Sequence, residues 1–180
     1  GHSRAALFFE QDISQFKDYD LTVENWHEFL SSENIILDDS WFAQGEKDLK
    51  LFHDFRHDIP IIINEENSRA SRVKLGTDMA VSDNHFMSMM EFYQEILKNR
   101  GLDHVIFGHI GDNHLHINLL PEKSQWDDAH KLYNQMVDKI LKLKGTVSAE
   151  HGIGKLKKKY FAEMVGPEGL NDLRKIKDCL

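Results

Sequence analysis

Apolar residues recur along this chain in two rhythms, every third or fourth position and every second position, which mark helices and half-buried strands respectively. Arg4–Glu10 predicts a strand centred on Leu7-Phe8-Phe9. Thr22 predicts the cap of a helix running to about Ser31, with Val23, Trp26, Phe29 and Leu30 turned inward. A short strand is expected at Ile35–Leu37. A helix follows over Glu46–Asp58, its stripe formed by Leu49, Phe52, Phe55 and Ile59 and its end set by Pro60. Ile61–Ile63 predicts a strand and Asn64–Arg72 a loop. Val73–Val81 alternates, with Val73, Leu75 and Met79 offset from Lys74, Gly76 and Asp78.

The second half is more regular. Ser82 or Asp83 caps a helix carrying Phe86, Met89, Met90, Tyr93, Ile96 and Leu97, and Gly101 closes it. Its methionines are core filler. Phe107–Leu119 predicts a hairpin. Ser124 and Asp127 suggest the cap of a long helix with Ala129, Leu132, Tyr133, Met136, Val137, Ile140 and Leu141 inside, ending at Gly145. Thr146–Ser148 is a brief strand, and Lys155–Lys159 a solvated helix face. Pro167 starts a last helix that buries Leu170, Leu173 and Ile176. Strands interleaved with amphipathic helices define an α+β fold, a mostly antiparallel sheet with helices packed on one face.

The hairpin carries the chemistry. Residues 108–118 read Gly-His-Ile-Gly-Asp-Asn-His-Leu-His-Ile-Asn. A two-residue turn at Asp112-Asn113 would pair Gly111 with His114, Ile110 with Leu115 and His109 with His116. One face then holds Phe107, His109, His114, His116 and Asn118, and the other Ile106, Gly108, Ile110, Leu115, Ile117 and Leu119. Two facing imidazoles are within reach of one ion, at roughly 2.0–2.1 Å per bond for zinc. A wet histidine-rich surface fits the same pattern. The second segment, Ala149-Glu150-His151-Gly152-Ile153-Gly154-Lys155, lies between helical patterns. Its adjacent acid and imidazole point different ways on most backbones, so one can ligate while the other faces a substrate. Taken alone, it is an ordinary helix–loop junction.

Together, His109-(six residues)-His116 and Glu150-His151-Gly152-Ile153-Gly154-Lys155 resemble the C-terminal substrate domain of FAD-linked oxidases of the vanillyl-alcohol oxidase type, such as the D-lactate, glycolate and D-2-hydroxyglutarate dehydrogenases. The resemblance implies a ferredoxin-like, duplicated fold spanning residues 1–180 as one substrate (cap) domain. It also implies a divalent metal, zinc foremost, on His109, His116 and Glu150, with His151 as the catalytic base. Arg56, Lys74 and Asn118 become substrate contacts; without the resemblance, Arg56 and Lys74 are ordinary solvated side chains. The family's Gly-Asp-Gly-Asn turn is here Gly111-Asp112-Asn113-His114, which makes His114 either a contact to the flavin cofactor or a further metal-side group.

The implied chemistry is oxidation of a small 2-hydroxy acid. The acid chelates the metal, His151 takes the hydroxyl proton, and FAD on a separate domain accepts the hydride. No phosphate-cradling glycine loop follows a strand, and the family's Asn-Pro-Gly-Lys tail is missing after Leu180. The chain is therefore expected to be part of a longer flavoprotein whose FAD-binding domain is its partner, and to be inactive alone. A self-contained metal-dependent hydrolase and a non-catalytic metal-binding module are the alternatives.

Composition narrows the partners. A net charge of -8 over 180 residues argues against nucleic acid and anionic membrane surfaces. The single Cys179 fits a reducing, cytoplasmic compartment. No apolar run is long enough to span a bilayer, and Gly1-His2-Ser3-Arg4 opens no secretory signal. A homo-oligomer is compatible with this composition.

Overall fold

The structure, a computed structural model, describes residues 5–12, 18–33, 35, 37–98 and 100–179. It comprises two compact units, Gly1–Asp58 and Ile59–Leu180.

The first unit is built on helix α1 (Tyr19–Ser32) and the first half of α2 (Glu46–Arg69). Asp18 caps α1 by accepting the Leu21 N–H at 3.0 Å, so the helix starts one turn before the expected Thr22. The Thr22 hydroxyl instead donates to the Asp18 carbonyl. Val23, Trp26 and Leu30 are half-buried and Phe29 is exposed. The expected strands at Arg4–Glu10 and Ile35–Leu37 do not form where described: residues 5–10 have no ladder partner, and Leu37–Asp39 is a 3-10 turn. Arg4 and Ile36 lie outside the described residues. Aromatic rings hold the unit together, with Phe9 4.5 Å from Trp26 and Trp41 5.3 Å from Phe55 between centroids.

Helix α2 passes through Pro60 and continues to Arg69, which corrects the strand expected at Ile61–Ile63 and most of the expected loop. A proline removes one helical hydrogen bond but leaves its flanks free to stay helical. Here the following turns add their own ties, Arg69 to Glu65 at 3.1 Å and the Ser68 hydroxyl to the Asn64 carbonyl.

In the second unit, β1 (Leu75–Gly76) and β2 (Met79–Ala80) lie end to end along one side of β4 (His114–Leu119), and β3 (His104–His109) lies along the other. All pairings are antiparallel. Leu75 opposes Leu119 and Ala80 opposes His114, so one register runs through the stretch where alternation predicted a strand, Val73–Val81. The ladder breaks between them because the Ile117 N–H goes to the Thr77 hydroxyl at 2.9 Å, not to its carbonyl. Helix α3 (Asp83–Leu97) precedes β3, and α4 (Trp126–Lys142) follows β4. Thr146 then bridges Ala80 antiparallel, where a short strand was expected. A 3-10 turn with a reciprocal Glu122–Gln125 cap leads into α4, in place of the expected Ser124–Asp127 arrangement.

The helices cover one face. Leu115, Ile117 and Leu119 meet Met89, Tyr93, Ile96 and Leu97 of α3 and the Ala129–Ile140 stripe of α4 in one apolar core. Burying each such side chain contributes about 1.5–3 kcal/mol. The architecture is α+β, as expected, with a small antiparallel sheet. Helix α5 (Lys158–Asp178) bends at Gly166 (φ 68°), and Pro167 opens its second segment. Leu173 and Ile176 are exposed there, contrary to expectation, and Leu170 is only half-buried. Among the described residues no helix is long and apolar enough to cross a membrane.

Candidate metal centre and active site

The face of the sheet away from α3 and α4 carries the polar residues. Strand β4 sends Leu115, Ile117 and Leu119 into the core and therefore His114, His116 and Asn118 to the opposite side. The hairpin register differs from the expected one by two residues: His109 opposes His114, Phe107 opposes His116 and Val105 opposes Asn118. A two-residue turn of the expected type needs positive φ at both Asp112 and Asn113. Only Asn113 adopts it (φ 50°); Ile110–Asp112 forms a 3-10 turn, and the loop widens to four residues. A slip of two preserves the faces, so the histidines stay together while their partners change.

The rings gather tightly. His114 and His116 centroids are 4.3 Å apart, His109 and His114 6.2 Å, and His116 and His151 5.2 Å. The turned Thr77 carbonyl accepts from His116 Nδ1 at 3.0 Å, which leaves the Nε2 lone pair facing outward. Burial lowers the His116 pKa, as do its imidazole neighbours His114 and His151, against the raising effect of the Thr77 bond. The neutral, ligating form is thereby favoured.

Asp78 anchors the second segment. Its register position places it opposite His116 on the same face, and it is 2% exposed. Its carboxylate accepts the Glu150 N–H at 3.1 Å, the His151 N–H at 3.0 Å, the Ser148 hydroxyl at 2.9 Å and the Lys157 ammonium at 2.9 Å. Its carbonyl accepts the Ala149 N–H at 3.0 Å. Burial alone would raise the Asp78 pKa, but these donors hold it well below the ordinary carboxylate range. Gly152 (φ 70°) lets the loop turn back, and its carbonyl lies 2.7 Å from Ser148 Oγ.

With its backbone fixed this way, Glu150 extends over the histidines. Oε1 lies 3.3 Å from His114 Nδ1 and 3.7 Å from His109 Nε2, and Oε2 lies 3.8 Å from His116 Nε2. Ligands held at about 2.1 Å on a tetrahedral ion are about 3.4 Å apart, which is close to each of these pair distances taken singly. Two three-residue sets have all ligand atoms within 4.8 Å of one another: Asp78–His114–His116 and His116–Glu150–His151. The first is a poor ligand set, because Asp78 is already occupied by Lys157, Ser148 and two amides. The second set, His116, Glu150 and His151, has the donor chemistry of a metal site; among the described residues no three-donor group at that spacing contains His109 or joins His114 to Glu150. Buried His114 Nε2, 3.1 Å from Asp78 Oδ1 but off the hydrogen-bonding line, makes no hydrogen bond among the described residues.

The remaining candidates are dispersed. Asn118 stands on the histidine face, 4% exposed, beside Gly76, where any Cβ would lie 2.7 Å from the Asn118 Oδ1. Lys74 donates to Asn64 Oδ1 at 3.0 Å. Arg56 belongs to the first unit, with its guanidinium 5.7 Å from the centre of the Phe8 ring. Asp78, Ser148, Lys157 and Thr77 were not singled out from the sequence. Asp78 was on the polar side of its alternating stretch, a usable signal; nothing in Lys155–Lys159 marks which lysine turns inward.

The sheet face away from α3 and α4 bears a histidine cluster, and a Glu-His loop brings further candidate ligands to it. The chain belongs to the family of FAD linked oxidases, C-terminal domain, which it matches over residues 17–180. It is 31% identical over 104 residues to D-lactate dehydrogenase (cytochrome), mitochondrial, of Kluyveromyces lactis, covering 58% of this chain and 18% of that protein. It is 42% identical over 84 residues to D-2-hydroxyglutarate dehydrogenase of Xanthomonas citri pv. viticola, covering 43% and 18%. Glycolate oxidase subunit GlcD of Bacillus subtilis is 24% identical over 103 residues, covering 56% and 22%. The match thus spans about a fifth of the length of these relatives.

Proposed function

We propose that this chain is the substrate and metal-binding domain of a flavin-dependent 2-hydroxy-acid dehydrogenase, with FAD held by a partner domain of a longer protein. The observation that carries this is the Glu150 carboxylate, faced by three imidazoles at 3.3–3.8 Å with His151 next to it in the chain. His109, His116 and Glu150 hold the divalent metal, with zinc the first candidate for two imidazoles and a carboxylate. When bound, the metal supplies Lewis-acid polarisation of the substrate hydroxyl, and the flavin supplies the electron sink. His151, with its amide tied to Asp78, takes the hydroxyl proton. Asn118 presents its amide to the substrate, and Arg56 and Lys74 bind its carboxylate, the arginine by its planar fork.

Residues 1–180 act together as the cap domain in this proposal. The order strand, α3, β3, β4, α4, Thr146 bridge supports the ferredoxin-like form for the second unit. Its duplication belongs to the proposal as well. The lone, exposed Cys179 suits a reducing compartment. A cytoplasmic one was expected from the sequence, and the mitochondrial relative makes a mitochondrial one an equal candidate.

The test is dye-linked oxidation of D-lactate, glycolate and D-2-hydroxyglutarate by the full-length protein and its His151→Asn variant. The variant is expected to lose about 10²–10⁴-fold in kcat with its flavin absorbance spectrum unchanged. Undiminished turnover in the variant would remove His151 from the mechanism. Flavin-independent hydrolysis of esters or phosphates would replace the dehydrogenase assignment with a metal hydrolase.

A further inference from the structure

We propose that His114 is a fourth protein ligand of the metal, so that this site is built from three imidazoles and one carboxylate; this rests on the metal centre proposed above. The ring is 2% exposed and has no surface to offer a flavin on another domain. Both of its nitrogens face carboxylate oxygens, Nε2 at 3.1 Å from Asp78 Oδ1 and Nδ1 at 3.3 Å from Glu150 Oε1.

A neutral imidazole has one N–H and one lone pair. With the N–H toward Asp78, the Nδ1 lone pair points at the Glu150 carboxylate. With the tautomer reversed, the lone pair points at Asp78. Either arrangement sets a lone pair against an anion at a buried position, where such a conflict is costly. A cation between Nδ1 and Glu150 Oε1 removes it. The cation gives the Nδ1 lone pair a partner, while Nε2 stays 3.1 Å from Asp78 Oδ1 without a hydrogen bond. An imidazolium bonded to both acids is the rival arrangement, but Nε2 is out of line with Asp78 and makes no hydrogen bond.

The spacing agrees. Of the three imidazoles facing Glu150, His114 comes closest, and its 3.3 Å separation matches the edge of about 3.4 Å between ligands of a tetrahedral ion. His109, half exposed on the opposite strand, is the looser neighbour at 3.7 Å.

Cobalt(II) titration of metal-free, full-length protein tests this, read by visible d–d absorption and by calorimetry, alongside X-ray absorption counting of imidazoles in the wild-type protein. The expected results are three imidazoles in the wild type, and an His114→Asn variant whose Kd rises beyond the roughly 10–100-fold that loss of an outer partner costs. The d–d band of the variant should also shift. Because His151 also lies within ligand spacing of His116 and Glu150, the count is repeated in His151→Asn, where three imidazoles support His114 and two overturn it even if His114→Asn misfolds. Two imidazoles, with His114→Asn affinity within about tenfold of wild type, would overturn the fourth ligand. If Glu150→Gln still abolished binding in that case, the metal centre itself would stand. A wild-type protein that binds neither cobalt nor zinc would overturn both.

Discussion

The two halves of the site are held by different physics. His114 and His116 ride on β4, which is hydrogen-bonded along both sides and rooted by Leu115, Ile117 and Leu119 in the core. Glu150 and His151 sit in an exposed loop with no ladder of its own, secured by one buried carboxylate, Asp78. The strand side is therefore stabilised by many small, redundant terms. The loop side depends on a single charge whose donors would all lose their acceptor together.

Asp78→Ala gives the largest expected effect. Removing one partner of a buried ion pair costs about 3–5 kcal/mol, because the other is left without compensation; here that partner is Lys157, whose side chain is 16% exposed. Urea unfolding should show the loss. Hydrogen exchange should show its location, with the Glu150 and His151 amides losing protection while those of β4 keep theirs. If the loop amides remained protected, Asp78 would not be the anchor.

The same carboxylate predicts an acid response. Its folded-state pKa is depressed, so its contribution is fully present above the unfolded value of about 3.9 and is lost as pH falls toward the folded value. Urea midpoints measured from pH 5 down to pH 2 should fall, and Asp78→Asn should flatten the fall. An equally steep profile in that variant would place the acid sensitivity elsewhere.

Gly108→Ala attacks the strand side. A Cβ at Gly108 would lie 2.3 Å from the His114 carbonyl oxygen and 2.9 Å from Leu115 Cα, both backbone atoms fixed by the ladder. Overpacking of this kind costs about 1–3 kcal/mol. The loss should appear in the urea midpoint and in β3–β4 exchange, and should leave the loop amides protected. Loss of loop protection would show that the two halves are coupled.

This division also explains what was legible in the sequence. Period-two alternation in His114–Leu119 reported the two faces of β4, because Leu115, Ile117 and Leu119 have a core to meet, whereas Ile110, expected on the same face, is exposed. The stripes of α3 and α4 were readable for the same reason. Register was not, since it depends on whether Asp112 as well as Asn113 turns left-handed, a choice local composition leaves open. Pro60 was read as a stop, but it costs a helix one bond and the following turns supply their own ties. Leu173 and Ile176 keep helical spacing yet stay exposed, because amphipathic pattern reports a capacity to be buried, not a neighbour. Lys157 was hidden in a run of like charges, and its role appears only once Asp78 is seen to need a counter-ion.

The smallest expected effect lies at the turn that sets the register. Asn113 holds φ 50° and ψ 31°, and its N–H closes the turn on the Ile110 carbonyl at 3.1 Å. Alanine in a left-handed conformation costs roughly 1–2 kcal/mol, a penalty that asparagine and glycine largely escape. Asn113→Ala should therefore lower stability by about 1 kcal/mol. Asn113→Gly should change it by only a few tenths, the easier φ offsetting the lost Asn113–Asp83 side-chain bond at the surface. Thermal melts of the two variants measured side by side separate backbone conformation from side-chain bonding. If glycine proved as costly as alanine, the turn would be held by the Asp83 contact, and the strand half of the site would depend on a single polar tie much as the loop half does.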